Sequence, residues 1–214
     1  MKKLLKKLEL KPLLISVGLV IFQSIFFFTA KLLQGEPHLI GNAFDHNTPF
    51  ISFFILFYVS WYLLLFIVPY YLYKKDKPTL YKYIAAYSIC AVTAAIIFVI
   101  YPTTLERGTL GKGVFDFITS IIYWVDTPAI NCLPSLHCAI SMLFILVSLV
   151  SKKVTNKFRI PVITLSLLIM ISTLLVKQHV LIDLITGDIL MLVIFIIVNY
   201  SKNIVNFVQK LLKI

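Results

Sequence analysis

The segment 177–183, Lys-Gln-His-Val-Leu-Ile-Asp, places a histidine and an aspartate four residues apart. In a helix, His179 and Asp183 are then neighbours on one face. A carboxylate at that distance can fix the tautomer and orientation of the imidazole ring, which leaves the other ring nitrogen free as a nucleophile or base. Taken alone, the spacing fits a capped helix end with a solvated histidine better.

A second histidine follows a proline and a serine in the segment 131–137, Asn-Cys-Leu-Pro-Ser-Leu-His. Proline suits the first turn of a helix. The free backbone N–H groups of such a turn, together with the helix dipole, bind anions. Ser135 can add its hydroxyl to that anion site, and His137 would face the bound anion. The simpler interpretation is a helix that begins at Pro134 with a serine or histidine cap.

Arg107 ends a third polar segment, 101–107, which follows an apolar run. Its planar guanidinium group can hold a phosphate through two hydrogen bonds at once. A salt bridge with Glu106, or a contact with a lipid headgroup, would explain a lone arginine equally well. The three segments together are far more specific than each alone.

The elements that must carry these residues are membrane spans. The 214 residues are 60% hydrophobic and 14% charged, with a mean hydropathy of +0.95, whereas a soluble domain has about a quarter of its residues charged. Six apolar runs approach the roughly 20 residues that a helix needs to cross the hydrocarbon core: 13–33, 50–73, 80–100, 134–150, 160–176 and 184–200. The sequence predicts an all-α integral membrane protein in which residues 1–214 form one six-helix domain.

The basic residues are unequally distributed between the two sides of these spans. If the N-terminus lies inside, only Lys31, Arg107, Lys112 and Lys177 of the 20 Lys and Arg residues lie outside. The positive-inside rule therefore places both termini in the cytoplasm. The Lys-rich start precedes an apolar run of span length, which predicts an uncleaved first helix. The net charge of +11 comes mainly from basic residues predicted to lie on the cytoplasmic side, so it does not indicate a nucleic-acid partner.

The ionisable side chains that could do chemistry fall on the opposite, extracytoplasmic face, which carries all four histidines and seven of the nine acids. A transport pathway would place ionisable residues near the middle of the membrane. We therefore expect a one-sided site, in a protein of the cell membrane. The tail 201–214 has the spacing of an amphipathic helix lying on the lipid surface.

Two motifs in this order resemble those of a known family. Pro-Ser-Leu-His at 134–137 matches a P-S-x-H motif, and His179 to Asp183 followed by Gly187 is similar to an H-x-x-x-D motif followed by a small residue. The chain thereby resembles the type 2 phosphatidic acid phosphatase superfamily, which includes vanadium haloperoxidases and sphingolipid-forming phosphotransferases. Motif order, motif spacing and six-helix topology agree over essentially the whole chain.

This resemblance implies a metal-independent enzyme without a cofactor, whose site lies on the extracytoplasmic side. It implies that His179 is the nucleophile that forms a phosphohistidine, that Asp183 holds His179, and that His137 protonates the leaving group. Ser135 would bind the phosphoryl oxygens. The substrate would be a lipid phosphate or a prenyl pyrophosphate, hydrolysed by water.

Two basic positions of the family pattern are missing. Ile100 stands where the first motif, K-x-x-x-x-x-x-R-P, has its lysine, and Gly108 replaces the proline. Ser172-Thr173 replaces the S-R pair that precedes the last histidine. Arg107 and Lys177 then remain as the phosphate-binding cations. These variants resemble the inositolphosphorylceramide-type phosphotransferases, which leaves open a transfer of the headgroup phosphate to an alcohol.

Interpretations from other classes also fit the residues. Imidazole and carboxylate suit zinc, so His137, His179, Asp183 and Cys132 could make the protein a metal-binding carrier. A degenerate, non-catalytic member of the family would also lack the two basic positions. Asp188 either pairs with a cation such as Arg107 or marks where the last span begins. The sequence predicts lipid as a partner and leaves the oligomeric state open.

One further segment could shape the substrate opening. Trp124, Asp126, Asn131 and Cys132 lie in the long connection between the third and fourth predicted spans. We expect this connection to border the site.

Overall fold

The computed structural model describes residues 9–212. The protein is 76% helix and 2% strand, so the all-α prediction is confirmed. The helices of the described chain are α1 (Leu10–Leu33), α2 (Ala43–Asn47), α3 (Ile55–Lys75), α4 (Lys77–Ile100), α5 (Val114–Val125), α6 (Leu136–Val150), α7 (Asn156–Leu175), α8 (Leu181–Tyr200) and α9 (Lys202–Leu212). A 3-10 turn, Ser52–Phe54, leads directly into α3.

Within residues 9–212, five helices are long and apolar enough to cross a membrane: α1, α3 with its preceding 3-10 turn, α4, α7 and α8. These five helices indicate a membrane protein. The fourth predicted span is α6, which has 15 residues and is therefore about 22 Å long, shorter than the roughly 30 Å hydrocarbon core. The six-span count and the side of the termini stay predictions. Lys2, Lys3, Lys6 and Lys7, which entered the charge argument, lie outside the described residues.

Helix α6 lies at the centre of the bundle and contacts α3, α4, α7 and α8. Its apolar side chains Ile140, Leu143, Phe144 and Val147 are fully buried. Close-packed apolar contacts of this kind are the main stabilisation that an interior helix receives. A helix surrounded by other helices does not itself need the length that matches a bilayer.

Both ends of α6 are held by side chains. At its start the Ser135 hydroxyl accepts a hydrogen bond from the Cys138 backbone N–H at 3.3 Å. At its end the Arg159 guanidinium donates to the carbonyl oxygens of Ser148 (2.9 Å), Ser151 (3.1 Å) and Val154 (3.0 Å). Terminal carbonyls of a helix lack partners within the helix, so Arg159 fixes this end.

Asp76 ties two other helices to the same end of α6. It is the single residue between α3 and α4, and Pro78 lies in the first turn of α4, where proline is tolerated. Its carboxylate accepts hydrogen bonds from the Ser151 hydroxyl at 2.6 Å and from the Thr79 hydroxyl at 2.8 Å.

At the opposite end, where α6 begins, the connections between helices join one another. β1 (His38–Leu39) and β2 (Thr103–Thr104) pair in parallel, with His38 opposite Thr103. The Thr103 hydroxyl accepts a hydrogen bond from the Leu133 N–H at 3.0 Å. The polar segments around Arg107, Ser135 and His179 therefore meet at one end of the bundle.

Candidate functional site

A tight turn between α7 and α8 positions His179. The Thr173 carbonyl oxygen accepts hydrogen bonds from the N–H groups of Gln178 (3.0 Å) and His179 (3.1 Å). Lys177 adopts a left-handed backbone conformation, with a φ of 50°. Asp45 closes the turn from outside, because its carboxylate accepts from the Leu181 N–H at 2.8 Å. His179 therefore lies two residues before α8, next to the N-cap Val180, in a turn held by backbone hydrogen bonds.

His179 and Asp183 form the predicted pair. The Nδ1 atom of His179 lies 3.2 Å from Oδ2 of Asp183, which also accepts from the Val180 N–H at 3.0 Å. Asp183 is fully buried, and the His179 side chain is 10% exposed. A carboxylate can only accept hydrogen bonds, so Nδ1 is the donor to Asp183, and in the neutral imidazole the lone pair is then on Nε2. This arrangement can present a nucleophilic nitrogen.

The two helices that carry the motifs are in direct backbone contact. The Ser135 N–H donates to the Asp183 carbonyl oxygen at 3.0 Å. A Cβ atom on Gly187 would lie 2.5 Å from the Ser135 carbonyl oxygen, a distance at which no side chain fits. The small residue after the second motif is thus required by the approach of α8 to α6.

One prediction about the first motif needs correction. The helix does not begin at Pro134: Ser135 is the N-cap and Leu136 is the first helical residue. Serine is a favoured cap because its hydroxyl satisfies a free N–H of the first turn. Ser135 is fully buried and its hydroxyl serves the Cys138 N–H, as the simpler interpretation held. A phosphate-binding role for Ser135 stays a prediction.

His137 lies against aromatic rings. Its ring centroid is 4.2 Å from that of Tyr58 and 4.2 Å from that of Trp61. The His179 ring is 6.4 Å away, centroid to centroid. The Nε2 atom of His137 is buried and has no hydrogen-bond partner within residues 9–212. The two histidines predicted to act together are therefore close, with an unpaired nitrogen on His137.

Arg107 has a partner that the sequence analysis did not anticipate. Its Nη2 atom donates to the Asp126 carboxylate at 2.7 Å, and its guanidinium carbon lies 4.6 Å from the centre of the Tyr123 ring. Lys31 pairs with the same carboxylate at 3.2 Å. The suggested pairings of Arg107 with Glu106 and with Asp188 are both wrong.

Glu106 instead faces His46, at 4.0 Å. Asp188 lies in the second turn of α8 and its Oδ1 atom is buried without a partner among the described residues. The signal for Asp126 was present in the sequence, because it is an acid in the connection that also contains Arg107. Nothing in the spacing identified Lys31 as the second cation.

Two cavities meet at His179. A polar one, of about 500 Å³, is bordered by Arg107, Lys177 and Asp45. An apolar one, of about 270 Å³, is bordered by His137 and by side chains of α1 and α3. His179 lines both. The predicted cations and the second histidine therefore lie on different sides of the candidate nucleophile.

The polar cavity is closed on one side by contacts of Lys177 and Tyr123. The Lys177 ammonium group donates to the Asp45 carbonyl oxygen at 2.5 Å. The Tyr123 hydroxyl donates to the Val176 carbonyl oxygen at 2.7 Å and accepts from the Gly108 N–H at 3.1 Å. Burial raises the pKa of Tyr123 above its ordinary value, and the Gly108 bond and the Arg107 charge oppose that shift. The phenol therefore stays neutral and able to donate.

Three of the four residues singled out in the connection between α4 and α6, Asp126, Asn131 and Cys132, line the apolar cavity, whereas Trp124 lines neither cavity. Burial raises the pKa of the Cys132 thiol, so it remains protonated at neutral pH. A cysteine that binds a metal ion does so as the thiolate. Within residues 9–212, no three His, Cys, Asp or Glu side chains are arranged to hold a metal ion. The metal-binding alternative thus has no ligand set in this part of the chain.

Comparison with known proteins gives one result. A family model described as the PAP2 superfamily matches residues 25–197, which is more than half of the chain and includes every predicted site residue. No curated protein and no solved structure matches.

Proposed function

Since the chain belongs to the PAP2 superfamily, we propose that it is a membrane enzyme that hydrolyses a lipid phosphate or prenyl pyrophosphate through a phosphohistidine. The observation that carries the proposal is the hydrogen bond between His179 Nδ1 and the buried Asp183 carboxylate. It leaves Nε2 of His179 free beside two cavities, one polar and one apolar. The phosphate group of a lipid phosphate suits the polar cavity, and its acyl chain suits the apolar cavity.

The reaction has two steps. Nε2 of His179 attacks phosphorus while the bond from phosphorus to the lipid oxygen breaks, and His137 gives its proton to that oxygen. Water then attacks phosphorus, the phosphorus to nitrogen bond breaks, and His137 takes the proton from the water. Asp183 stabilises the positive charge that the His179 ring carries in between. No metal takes part in this proposal.

The cations Arg107 and Lys177 are proposed to hold the phosphoryl oxygens, with Ser135 as a further donor. Arg107 and Lys177 both border the polar cavity. The Nη1 atom of Arg107 is buried and has no partner among the described residues, so it is available to an anion. A guanidinium group binds phosphate more specifically than an ammonium group because its donors are planar.

We further propose the membrane arrangement that the charges indicate: six spans, both termini in the cytoplasm, and the site on the extracytoplasmic side of the cell membrane. Helix α6 is short, but it is enclosed by α3, α4, α7 and α8. Its polar start can therefore lie below the membrane surface without contact with lipid.

A second candidate is a phosphotransferase of the same fold. The polar cavity of about 500 Å³ has far more room than a water molecule, which takes about 30 Å³ in the liquid. An alcohol that binds there would take the place of water in the second step. The lipid headgroup phosphate would then pass to that alcohol.

The test uses detergent-purified protein in excess EDTA, with phosphatidic acid, prenyl pyrophosphate and phosphatidylglycerophosphate offered separately. The parent is expected to release phosphate and His179→Ala to release none. His38→Ala is the matched control, because His38 is exposed and stacks on Tyr101 away from both cavities. Release by His179→Ala at the parent's rate would overturn the phosphohistidine proposal.

Products distinguish hydrolase from transferase. A labelled phospholipid is incubated with and without a polyol or a long-chain alcohol. Free phosphate in both reactions supports hydrolysis. A labelled phosphate monoester of the alcohol, formed only when the alcohol is present, supports transfer.

A further inference from the structure

Helix α5 has an exposed apolar face that the spanning helices do not cover. It has 12 residues, about 18 Å, which is too short to cross a bilayer. The exposed side chains are large: Phe117 is 66% exposed and Trp124 is 77% exposed. The exposed apolar residues of this helix are Val114, Phe117, Ile121, Trp124 and Val125.

The rest of α5 divides into two other sectors. The core-facing residues are Phe115, Ile118, Thr119 and Ile122, of which the three apolar ones contact a cluster formed by Ile55, Tyr58 and Val176. The polar residues are Asp116, Ser120 and Tyr123. With 3.6 residues per turn, each set occupies its own contiguous sector of the helix. The exposed apolar sector is therefore a distinct surface and is not the back of a core-facing helix.

This surface lies beside the lipid-facing sides of spanning helices. Val125, which belongs to the exposed apolar sector, lines the apolar cavity together with Tyr62 of α3 and Phe28 of α1, which are 45% and 54% exposed. Also on α3, Leu56 and Leu63 are 40% and 62% exposed. Exposed side chains on the outside of a spanning helix face lipid. The exposed apolar sector of α5 thus adjoins the exposed apolar side chains of spanning helices.

We propose that α5 is an interfacial helix embedded in the lipid leaflet on the side of the membrane where the site opens. Its exposed apolar sector lies among the upper acyl chains, and its polar sector lies on the side of the polar connection that carries Arg107 and Gly108. Helices with this division lie in the plane of the interface, and tryptophan is enriched at that depth. The position beside the exposed sides of α1 and α3 selects lipid as the occupant and not a protein partner.

The position of α5 also determines where Arg107 lies. Tyr123, in the polar sector, contacts the guanidinium group with its ring, and Asp126, which follows the last turn, pairs with it. If α5 lies at the interface, Arg107 is held at the depth of lipid phosphates. This consequence for substrate binding rests on the proposed function, whereas the insertion of α5 does not.

Tryptophan fluorescence tests the insertion, because the chain has only two tryptophans. Trp61→Phe leaves Trp124 as the single emitter, and Trp124→Phe leaves the buried Trp61 as the matched control. The proteins are placed in phosphatidylcholine vesicles whose acyl chains carry bromine near the headgroup. Trp124 is expected to be quenched by bromine and protected from iodide in the water. Strong quenching by iodide with none by bromine would overturn the proposal.

A spin label gives a second measurement that does not depend on the Trp61→Phe variant. The three native cysteines are buried, so Phe117→Cys introduces one accessible thiol. The label is expected to collide with oxygen, which dissolves in the acyl region, more often than with a water-soluble nickel complex. The reverse preference at this position would also overturn the proposal.

The kinetic consequence is measured with Phe117→Ser. Its KM for a long-chain lipid phosphate in vesicles is expected to rise on the order of fivefold, because apolar membrane contact is lost. Its KM for a short-chain analogue dissolved as monomers is expected to stay unchanged. Equal losses on both substrates would contradict a membrane role. Absence of any activity in the parent would instead count against the proposed function and leave the fluorescence result standing.

Discussion

The Ser135 backbone N–H donates a 3.0 Å hydrogen bond to the backbone carbonyl oxygen of Asp183. This bond joins the start of α6 to the first turn of α8 without using a side chain. His137 follows one of these residues by two positions, and His179 precedes the other by four. The relative position of the two histidines is therefore determined by backbone contact, so it can be disturbed only by a change that separates the helices.

Gly187→Ala should separate them. The new Cβ would lie 2.5 Å from the Ser135 carbonyl oxygen and 3.3 Å from the Ala139 nitrogen. Overpacking of this kind costs about 1–3 kcal/mol. We expect a lower midpoint of thermal unfolding in detergent and a loss of phosphate release that exceeds the loss of folded protein.

Gly18→Ala is the control for that experiment. Gly18 is also helical, but nothing lies within 4 Å of its Cβ position. The substitution should leave activity unchanged and unfolding unchanged or slightly later. A Gly187→Ala protein that behaves like Gly18→Ala would show that the two helices are not in close contact.

Asp183→Asn should impair chemistry more than folding. The amide oxygen can still accept from the Val180 N–H, whereas the negative charge beside the His179 ring is lost. A side chain positioned for proton transfer contributes on the order of 10²–10⁴-fold to a rate, and we expect kcat to fall by a factor in that range. Asp116→Asn changes an aspartate that likewise accepts from an N–H three residues earlier, that of Gly113, and should retain the parent's kcat. The comparison is made at saturating lipid substrate.

Asp126→Asn should tighten substrate binding. The carboxylate pairs with Arg107 and Lys31, so it neutralises positive charge beside the polar cavity. The Asp126 carbonyl oxygen and the Tyr123 ring still contact Arg107 in the variant. Loss of one charge near a protein surface changes an anion's affinity by roughly 1 kcal/mol, so KM should fall about twofold to tenfold.

Glu106→Gln removes a carboxylate that borders the polar cavity and serves as the control for Asp126→Asn. Asp126 itself pairs with Arg107 from outside that cavity's lining. Glu106 is 69% exposed and faces only His46, at 4.0 Å. Solvent screens such a charge, and KM should change by less than the Asp126 variant changes it. A rise in KM for Asp126→Asn would show that Asp126 mainly orients Arg107.

Ser151→Ala should destabilise the protein in a pH-dependent way. Burial of Asp76 opposes its ionisation, but hydrogen bonds from Ser151 and Thr79 outweigh burial and lower its pKa. A carboxyl group whose pKa is lower in the folded state stabilises the protein fully above the ordinary carboxyl pKa range. This stabilisation is lost as pH falls through the lowered pKa. The stability difference between parent and variant should therefore be largest at neutral pH and shrink below about pH 4.

Ser148→Ala provides the comparison for this pH series. Ser148 is also buried and lies in α6, but its hydroxyl has no partner within the described residues. Its effect on unfolding should be the same at every pH. Thermal unfolding measured from acid to neutral pH distinguishes the two variants.

The sequence predicted the helices well because apolar runs of span length have few other structures open to them. It also predicted the contact between His179 and Asp183, but for the wrong reason: His179 precedes the N-cap Val180, so the contact spans the start of α8 and is not one turn within a helix. The start of α6 was placed one residue before its cap because proline at 134 and serine at 135 are both favoured near a helix start. Only the hydrogen bond from Cys138 to the Ser135 hydroxyl identifies the cap.

Ion pairs between residues far apart in the sequence could not be predicted from motif spacing. Asp126 and Lys31 are 95 positions apart in sequence, and no local pattern relates them. Helix α5 was missed because 12 apolar-rich residues are too few for a span and were therefore assigned to a connection. Its three-sector pattern becomes visible only when the core contacts of Phe115 and Ile122 are known.

The ring of His179 borders both the polar and the apolar cavity. Under the proposed function, the apolar cavity takes the acyl chain and the polar cavity takes ions and water, so the imidazole lies where the two environments meet. A phosphoryl group bound to that ring would be detached from an oil-soluble molecule and presented to an aqueous compartment without diffusing between them. In that proposal His179 would act like an immobilised phase-transfer catalyst, because it would pass a phosphoryl group from a lipid environment to an aqueous one.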